Sequence, residues 1–239
     1  SQRDVAFAYS NEVAMICDES DVSALEVIRA GKLGYPRTNL FMPGPVGGPC
    51  LSKDPHILAE GARQRGVVAG LTLMARKVNE SQPEQVAQRL KKLMLTLGIS
   101  TPKRIALCGL AFKGRPATDD LRGTVAIDIL REIKSVFPMS TYVGYDPMVG
   151  PLDIAGLGLT PVESLDDAFA ESELVLILNN HPQFEVMDIG TLSRLMAASG
   201  FIYDFWGQFD PEKIDLPNSV GYGGLGFMAH AKYPIGKGE

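Results

Sequence analysis

The chain has 239 residues, enough for one large or two medium domains. With 45% hydrophobic and 21% charged residues and a formal net charge of -5, it has an ordinary globular balance and the wrong sign for coating nucleic acid or anionic lipid. No apolar run is long enough to cross a bilayer and no signal peptide stands at the start. The three separated cysteines, Cys17, Cys50 and Cys108, form no metal-binding spacing, which points to a reduced, cytoplasmic protein without a metal site.

The opening SQRDVAFAYSNEVAMICDE has helical spacing at Val5, Ala8, Tyr9, Glu12, Val13 and Ile16, predicting a helix that ends near 17–19. It begins inside that pattern, with no Met and no leading cap, and reads as a piece of a longer chain. A second helix is expected over 22–29, with Asp21 as its N-cap and Gly31 beyond its end. Residues 39–55 then read NLFMPGPVGGPCLSKDP. Gly44, Gly47 and Gly48 permit φ > 0 or close backbone approach, while Pro43, Pro45 and Pro49 stiffen the turn. Cys50 stands behind this Gly/Pro knot where a loop should give way to a helix, with Lys53 and Asp54 one turn on. A helix N-terminus and an ammonium both favour thiolate, so the pattern fits a nucleophile beside a carboxylate. A small, inert cysteine buried in a turn fits it equally well.

Helical spacing returns at Ile57, Leu58 and Ala62 and continues over 67–95, where Pro83 is expected to kink or split the helix. The basic residues Arg76, Lys77, Arg89, Lys91 and Lys92 read as a solvated face. A long helix of this kind suits a spine joining two domains or subunits.

From Pro102 the pattern changes. Strands are predicted over 104–112, 141–145, 174–178 and 201–204, with another at 219–222. Helices are predicted over 119–136, 164–171 and 189–198, and the Gly-rich tail from Gly221 reads as loose. Strands alternating with helices imply an α/β fold with a doubly wound, mostly parallel sheet, which binds ligands off the carboxyl ends of its strands. Lys113, Asp146 and residues 179–181 fall on that rim. Thr118 is the expected N-cap of the first helix here, with Asp119 and Asp120 in its first turn. Lys113, Arg115 and Arg122 would then converge on a positive helix end suited to phosphate; alternatively Arg122 pairs with Asp119 or Asp120. GxGxxG is absent, so this is not a standard dinucleotide turn. His181 reads as structural, His56 and His230 carry no partner pattern, and Trp206 reads as a core or domain contact.

GGPCLSKDP followed by GLAFKGRPATDDLRG resembles the nucleotide-sugar (UDP-glucose/GDP-mannose) 6-dehydrogenases. The opening helix with Asn11-Glu12, YDPMV and ILNNHP are similar to the same family, so the resemblance covers nearly the whole chain. It implies a helical central dimerisation domain over 1–98, with the long connecting helix, and a Rossmann-like UDP-sugar domain over 99–239. It also implies that an N-terminal NAD domain and an upstream catalytic lysine and asparagine lie outside this chain. Cys50 would trap the C6 aldehyde as a thiohemiacetal and carry the thioester formed by the second oxidation. Asp54, with Lys53 beside it, would help orient the hydrolytic water. Gly47 and Gly48 would line the sugar pocket, and Lys113 would contact the pyrophosphate. Arg37 would reach the neighbouring subunit's sugar site, and Arg122 would lie near the cofactor. The resemblance thus implies NAD as cofactor, a UDP-sugar as substrate, a homodimer, a role in polysaccharide biosynthesis, and no nucleic-acid or membrane partner. The PGPVGG knot is similar to the branch acting on UDP-N-acetylhexosamines, such as N-acetylmannosamine, and the Lys-Asp after the cysteine to the UDP-glucose branch. A stand-alone nucleotide-sugar-binding and dimerisation module, without catalysis, is the alternative.

Overall fold

Four helices precede the sheet in the computed structural model, which describes residues 1–234. These are α1 (Gln2–Glu19), α2 (Ala24–Lys32), α3 (Asp54–Arg63) and the 27-residue α4 (Gly70–Thr96). There follow β1 (Arg104–Cys108), α5 (Val125–Val136), β2 (Thr141–Tyr145), α6 (Pro151–Gly156) and β3 (Thr160–Pro161). The chain then runs through α7 (Leu165–Phe169), β4 (Leu174–Ile177), α8 (Pro182–Glu185), α9 (Ile189–Ser193), β5 (Gly200–Asp204) and β6 (Val220–Gly224).

The strands form one parallel sheet in the order β3-β2-β1-β4-β5-β6. The chain winds outward from β1 to β3 and then returns to β4, so the switch point lies between β1 and β4, which pair from Ile105↔Leu174 to Cys108↔Ile177. The two-residue period sorts side chains to opposite faces. Ile105, Leu107, Leu174 and Leu176 pack against α4 and α5, whereas Ala106, Cys108, Val175 and Ile177 face α7 and α9. Burial on both faces is why these strands read as unbroken apolar runs. The second half of α4 contributes Val86, Ala87, Leu90, Leu93 and Met94 to the sheet's own core, so the long helix is shared by both halves of the molecule.

Pro83 does not split α4, which runs unbroken through it. It removes one backbone donor, but α1 and α5 both pack along the helix, and that packing holds the weakened turn. The basic residues of α4 are not all solvated. Arg76 is 3% exposed and ion-paired to Asp4. Arg89 pairs with buried Asp18, which also accepts the N–H groups of Gly226 and Met228 at 3.1 and 3.2 Å. Helix α2 starts later than expected, capped by Ser23, and runs through Gly31. Asp21 has φ 55°, outside the extended region a cap requires.

The predicted helix over 119–136 begins only at Val125, with Thr124 as its cap. Asp120 explains the delay. Its carboxylate accepts the Arg122 N–H at 2.9 Å and the Arg122 side chain at 2.7–3.2 Å, a local turn that competes with helix. The first strand likewise ends at Cys108, four residues early, because Gly109 turns at φ 87°. The tail expected to be loose is structured over 221–234, and its last residues, 235–239, lie outside the described residues. Val220–Gly224 is a buried strand, and Tyr222 pairs with Lys232 beyond it. Its glycines serve close approach: a Cβ on Gly221 would lie 2.5 Å from the Phe201 ring.

Candidate active site

Cys50 lies in a turn four residues ahead of α3, whose N-cap is Lys53, so the thiol is not at the helix cap. The turn closes on itself. Ser52 donates its N–H and Oγ–H to the Gly48 carbonyl at 3.3 and 3.1 Å, and Asp54 donates its N–H to the Cys50 carbonyl at 2.9 Å. Cys50 is exposed, while Cys17 and Cys108 are buried.

Glycines seat this turn on the sheet. The Gly48 N–H donates to the Gly123 carbonyl at 2.6 Å. A Cβ on Gly47 would lie 2.5 Å from that same oxygen, and one on Gly48 (φ 107°) would lie 2.7 Å from the Phe112 ring. A Cβ on Gly123 (φ 64°) would lie 2.9 Å from the Gly48 carbonyl. Only residues without side chains let the two backbones touch. Upstream, the Trp206 ring comes within 3.0 Å of where a Cβ on Gly44 would sit, and its Nε1–H donates to the Leu178 carbonyl at 3.0 Å. Trp206 is therefore a second contact between knot and sheet.

The loop over 109–124 carries the cations. Thr124 anchors it by donating its hydroxyl to the Leu110 carbonyl at 2.7 Å, and the Phe112 N–H donates to the Asp120 carbonyl at 3.1 Å. The expected convergence of three free cations is not formed. Arg115 pairs with Glu185, and Arg122 pairs with Asp120 at 2.7 Å, as the alternative reading had it. Arg122 holds the Asp120 carboxyl down at about 2. Lys113 has no ion-pair partner among the described residues; its ammonium lies 5.1 Å from the Phe112 ring centre, within cation–π range. Arg122 and Lys53 are both pushed upward, chiefly by their hydrogen bonds to Asp120 and Asp54. Lys53 and Asp54 pair at 2.9 Å.

The rim residues are held internally. Asp146 accepts the N–H groups of Leu110, Ala111, Met148 and Val149 at 2.6–3.1 Å. Asn179 accepts the His181 N–H at 3.1 Å, and His181 accepts the Gln183 N–H as the cap of α8. Arg37 lies in an exposed turn between α2 and the knot. His56 and His230 have acidic neighbours after all: Glu80 at 3.5 Å and Glu26 at 3.7 Å. Among the described residues no three His, Cys, Asp or Glu side chains cluster as a metal site, and no helix is long and apolar enough to cross a membrane.

Sequence reasoning missed Phe112 as the floor under Gly48. It also missed a buried polar group formed by Asp4, Asn11, Arg76 and Asn79. The i, i+3 spacing of Arg76 and Asn79 among buried positions of α4 was the available signal.

Gly109 and Gly114 are sites of close approach: side chains there would collide with Asn179 and with the backbone at Asn180-His181. The N-terminus of α5 is capped by Thr124 beneath the loop over 109–124.

The fold is shared with nucleotide-sugar dehydrogenases of known structure. The solved structure of UDP-D-ManNAc dehydrogenase from Pyrococcus horikoshii superposes with TM-score 0.77 at 28% identity, covering 94% of this chain and 49% of that one. The chain belongs to the UDP-glucose/GDP-mannose dehydrogenase family: residues 1–81 match the family's central domain and residues 106–211 its UDP binding domain. It is 35% identical over 195 residues to UDP-N-acetyl-D-mannosamine dehydrogenase of Escherichia coli K12, covering 79% of this chain and 44% of that protein. It is 32% identical over 213 residues to NDP-N-acetyl-D-galactosaminuronic acid dehydrogenase of Ralstonia nicotianae, covering 89% and 47%. The chain thus spans less than half the length of these curated relatives.

Proposed function

We propose that this chain is the substrate-binding and dimerisation part of an NAD-dependent UDP-sugar 6-dehydrogenase, and that a UDP-N-acetylhexosamine is its substrate. The observation that carries the reading is the Gly48–Gly123 hydrogen bond. It seats the exposed Cys50 thiol beside the loop bearing Lys113 and Arg122, so a sugar carbon and its diphosphate can be met from one surface. The sugar assignment draws on the N-acetylhexosamine relatives and on the proline-rich knot, and UDP-glucose is the competing substrate.

NAD, bound by the whole enzyme, supplies the hydride acceptor for both oxidations; Arg122 is the one residue of this chain assigned toward it. The chain's own residues handle the carbonyl. The Cys50 thiolate adds to the C6 aldehyde, forming a C–S bond while the oxygen takes a proton. Loss of hydride from that carbon and of the proton from its oxygen leaves a thioester. Water adds to the thioester and the C–S bond breaks, giving the carboxylate, returning the thiolate and releasing two protons to solvent. Asp54, held by Lys53, orients the water. Without a covalent anchor the aldehyde would diffuse away between oxidations, and thiolate is the protein nucleophile best suited to hold it. Lys113 binds the pyrophosphate, Gly47 and Gly48 border the sugar, and Arg37 reaches across to the partner's site. The exposed apolar side chains Ile57, Leu58, Val67, Val68, Leu71 and Met74 suit a homodimer face on the helical half. The free cysteines fit a reducing cytoplasm, and the uronic acid product suits polysaccharide biosynthesis.

In the full-length enzyme, Cys50→Ser is expected to stop acid formation while the first oxidation proceeds, followed as product by mass spectrometry. Undiminished turnover to the acid would remove Cys50 from the mechanism. Lys113→Ala is expected to weaken UDP binding at least tenfold in titration calorimetry, and unchanged affinity would remove Lys113 from the diphosphate.

A further inference from the structure

The segment that carries Cys50 is held at both ends by one buried polar network. At its start, Asn11 Oδ1 accepts the Gly44 N–H at 2.9 Å and Asn11 Nδ2 donates to the Gly44 carbonyl at 3.1 Å. A side-chain amide thus supplies the pairing that a neighbouring strand would give. At its far end, Arg76 Nη1 donates to the carbonyl of Leu51, the residue next to Cys50, at 2.8 Å. The two ends are joined through side chains. Asn11 Nδ2 also donates to Asn79 Oδ1 at 3.1 Å, and Asn79 Nδ2 donates to Asp4 Oδ1 at 2.8 Å and to the Asp4 carbonyl at 3.0 Å. Asp4 Oδ1 accepts Arg76 Nη1 at 2.8 Å.

All four side chains are nearly inaccessible, at 0–3% exposure. Every N–H of the two amides and of Arg76 Nη1 has an acceptor, so the network has one consistent arrangement. Stability alone does not account for it. A buried ion pair is weak evidence for stability, since well-packed apolar residues of similar volume are often as good or better. Apolar residues cannot grip two backbone points seven residues apart. The contacts from Ser52 to Gly48 and from Asp54 to Cys50 are local, and the Gly48–Gly123 hydrogen bond ties the turn to the loop over 109–124; the hydrogen bonds that tie it to α1 and α4 are those of Asn11 and Arg76.

We propose that Arg76 is a positioning residue for Cys50, acting through the Leu51 carbonyl, and that Asn11 is its counterpart at Gly44, the two forming one clamp through Asp4 and Asn79. The meaning of that placement rests on the dehydrogenase reading above; the clamp itself does not. Arg76→Lys keeps a charge near Asp4, but the lysine Nζ stops one bond short of Nη1, the single nitrogen that serves both Asp4 and the Leu51 carbonyl. Asn11→Asp keeps the acceptor for Gly44 N–H and loses both donors, so each variant disturbs one end with little change in size.

The test is hydrogen exchange on the full-length enzyme with mass spectrometry, alongside steady-state kinetics. In either variant the amides of Gly44, Ser52, Lys53 and Asp54 are expected to exchange at least tenfold faster, at both ends of the segment at once. Peptides from β1 and β4 stay within twofold of the parent. The kcat for acid formation falls at least tenfold while KM for the UDP-sugar stays within twofold. Unchanged exchange over 44–54, loosening confined to the end that was altered, or equal acceleration throughout the protein would each overturn the clamp. Failure of the parent enzyme to form acid would instead refute the dehydrogenase reading, leaving the exchange result to judge the clamp.

Discussion

The meeting of Gly47 with Gly123 can be broken by a single methyl group. Gly47→Ala places a Cβ 2.5 Å from the Gly123 carbonyl oxygen and 3.0 Å from the Val125 nitrogen, both of them backbone atoms that no rotamer change can move aside. Overpacking of this kind costs about 1–3 kcal/mol. Moving the two loops apart also lengthens the 2.6 Å Gly48–Gly123 hydrogen bond, worth about 0.5–1.5 kcal/mol. The sum is about 1.5–4.5 kcal/mol, which for a chain of this size corresponds to roughly 3–18 °C in Tm. Gly61→Ala is the matched control. Gly61 lies inside α3, where a Cβ would meet only the tip of Arg65 at 3.9 Å, so alanine there should stabilise by about 0.5–1 kcal/mol. Urea titrations of the two variants beside the parent measure both signs. A Gly47→Ala protein within about 0.5 kcal/mol of the parent, or two variants that shift the same way, would refute the argument that glycines are required where the knot meets the sheet.

Three further outcomes are expected. Thiol titration of the native protein should find one fast thiol among these three cysteines, Cys50, with Cys17 and Cys108 reacting only after denaturation; a second fast thiol would contradict their burial. Burial pushes the Cys108 thiol from 9.0 up to about 12, so between those values the unfolded chain loses a proton that the native chain keeps, and stability falls as pH rises. The full loss from Cys108 is about 4 kcal/mol at most, and Cys108→Ala should flatten the decline in urea stability between pH 8 and pH 10.5; an unaltered slope would count against it. Arg89→Met leaves Asp18 buried without its cation and should cost about 3–5 kcal/mol by chemical denaturation, part of which the added Asp18→Asn returns; simple additivity of the two changes would show that the pair is not coupled.

Much of the fold was legible because periodicity survives wherever one structure buries a whole run. The apolar stretch at 104–108 and its partner at 174–177 are buried on both faces, and nothing competes with strand there. The boundaries that moved are those where a side chain found a local partner. Asp120 took the Arg122 N–H, and α5 had to wait for Thr124. The solvated reading of Arg76 and Arg89 failed because a charge pattern along one helix says nothing of the acids on another, here Asp4 and Asp18 of α1. The glycines of the knot were recognisable as places of close approach, but their partner, Gly123, lies 75 residues on and had no signal of its own until the loop was seen folded over them. The tail misled for a related reason: glycine in β6 makes room for Phe201, and composition alone cannot separate that from freedom.

Trp206 is the single tryptophan of the chain, and its ring sits on Gly44 with its indole N–H tied to the Leu178 carbonyl. The chain therefore carries one optical reporter at the seam between the cysteine segment and the sheet. Its emission reads a single environment, with no second indole to blur it. Any event that lifts the knot, whether an occupied pocket, a severed Asn11 contact or heat, changes the wavelength and quenching of that one fluorophore without a label being attached.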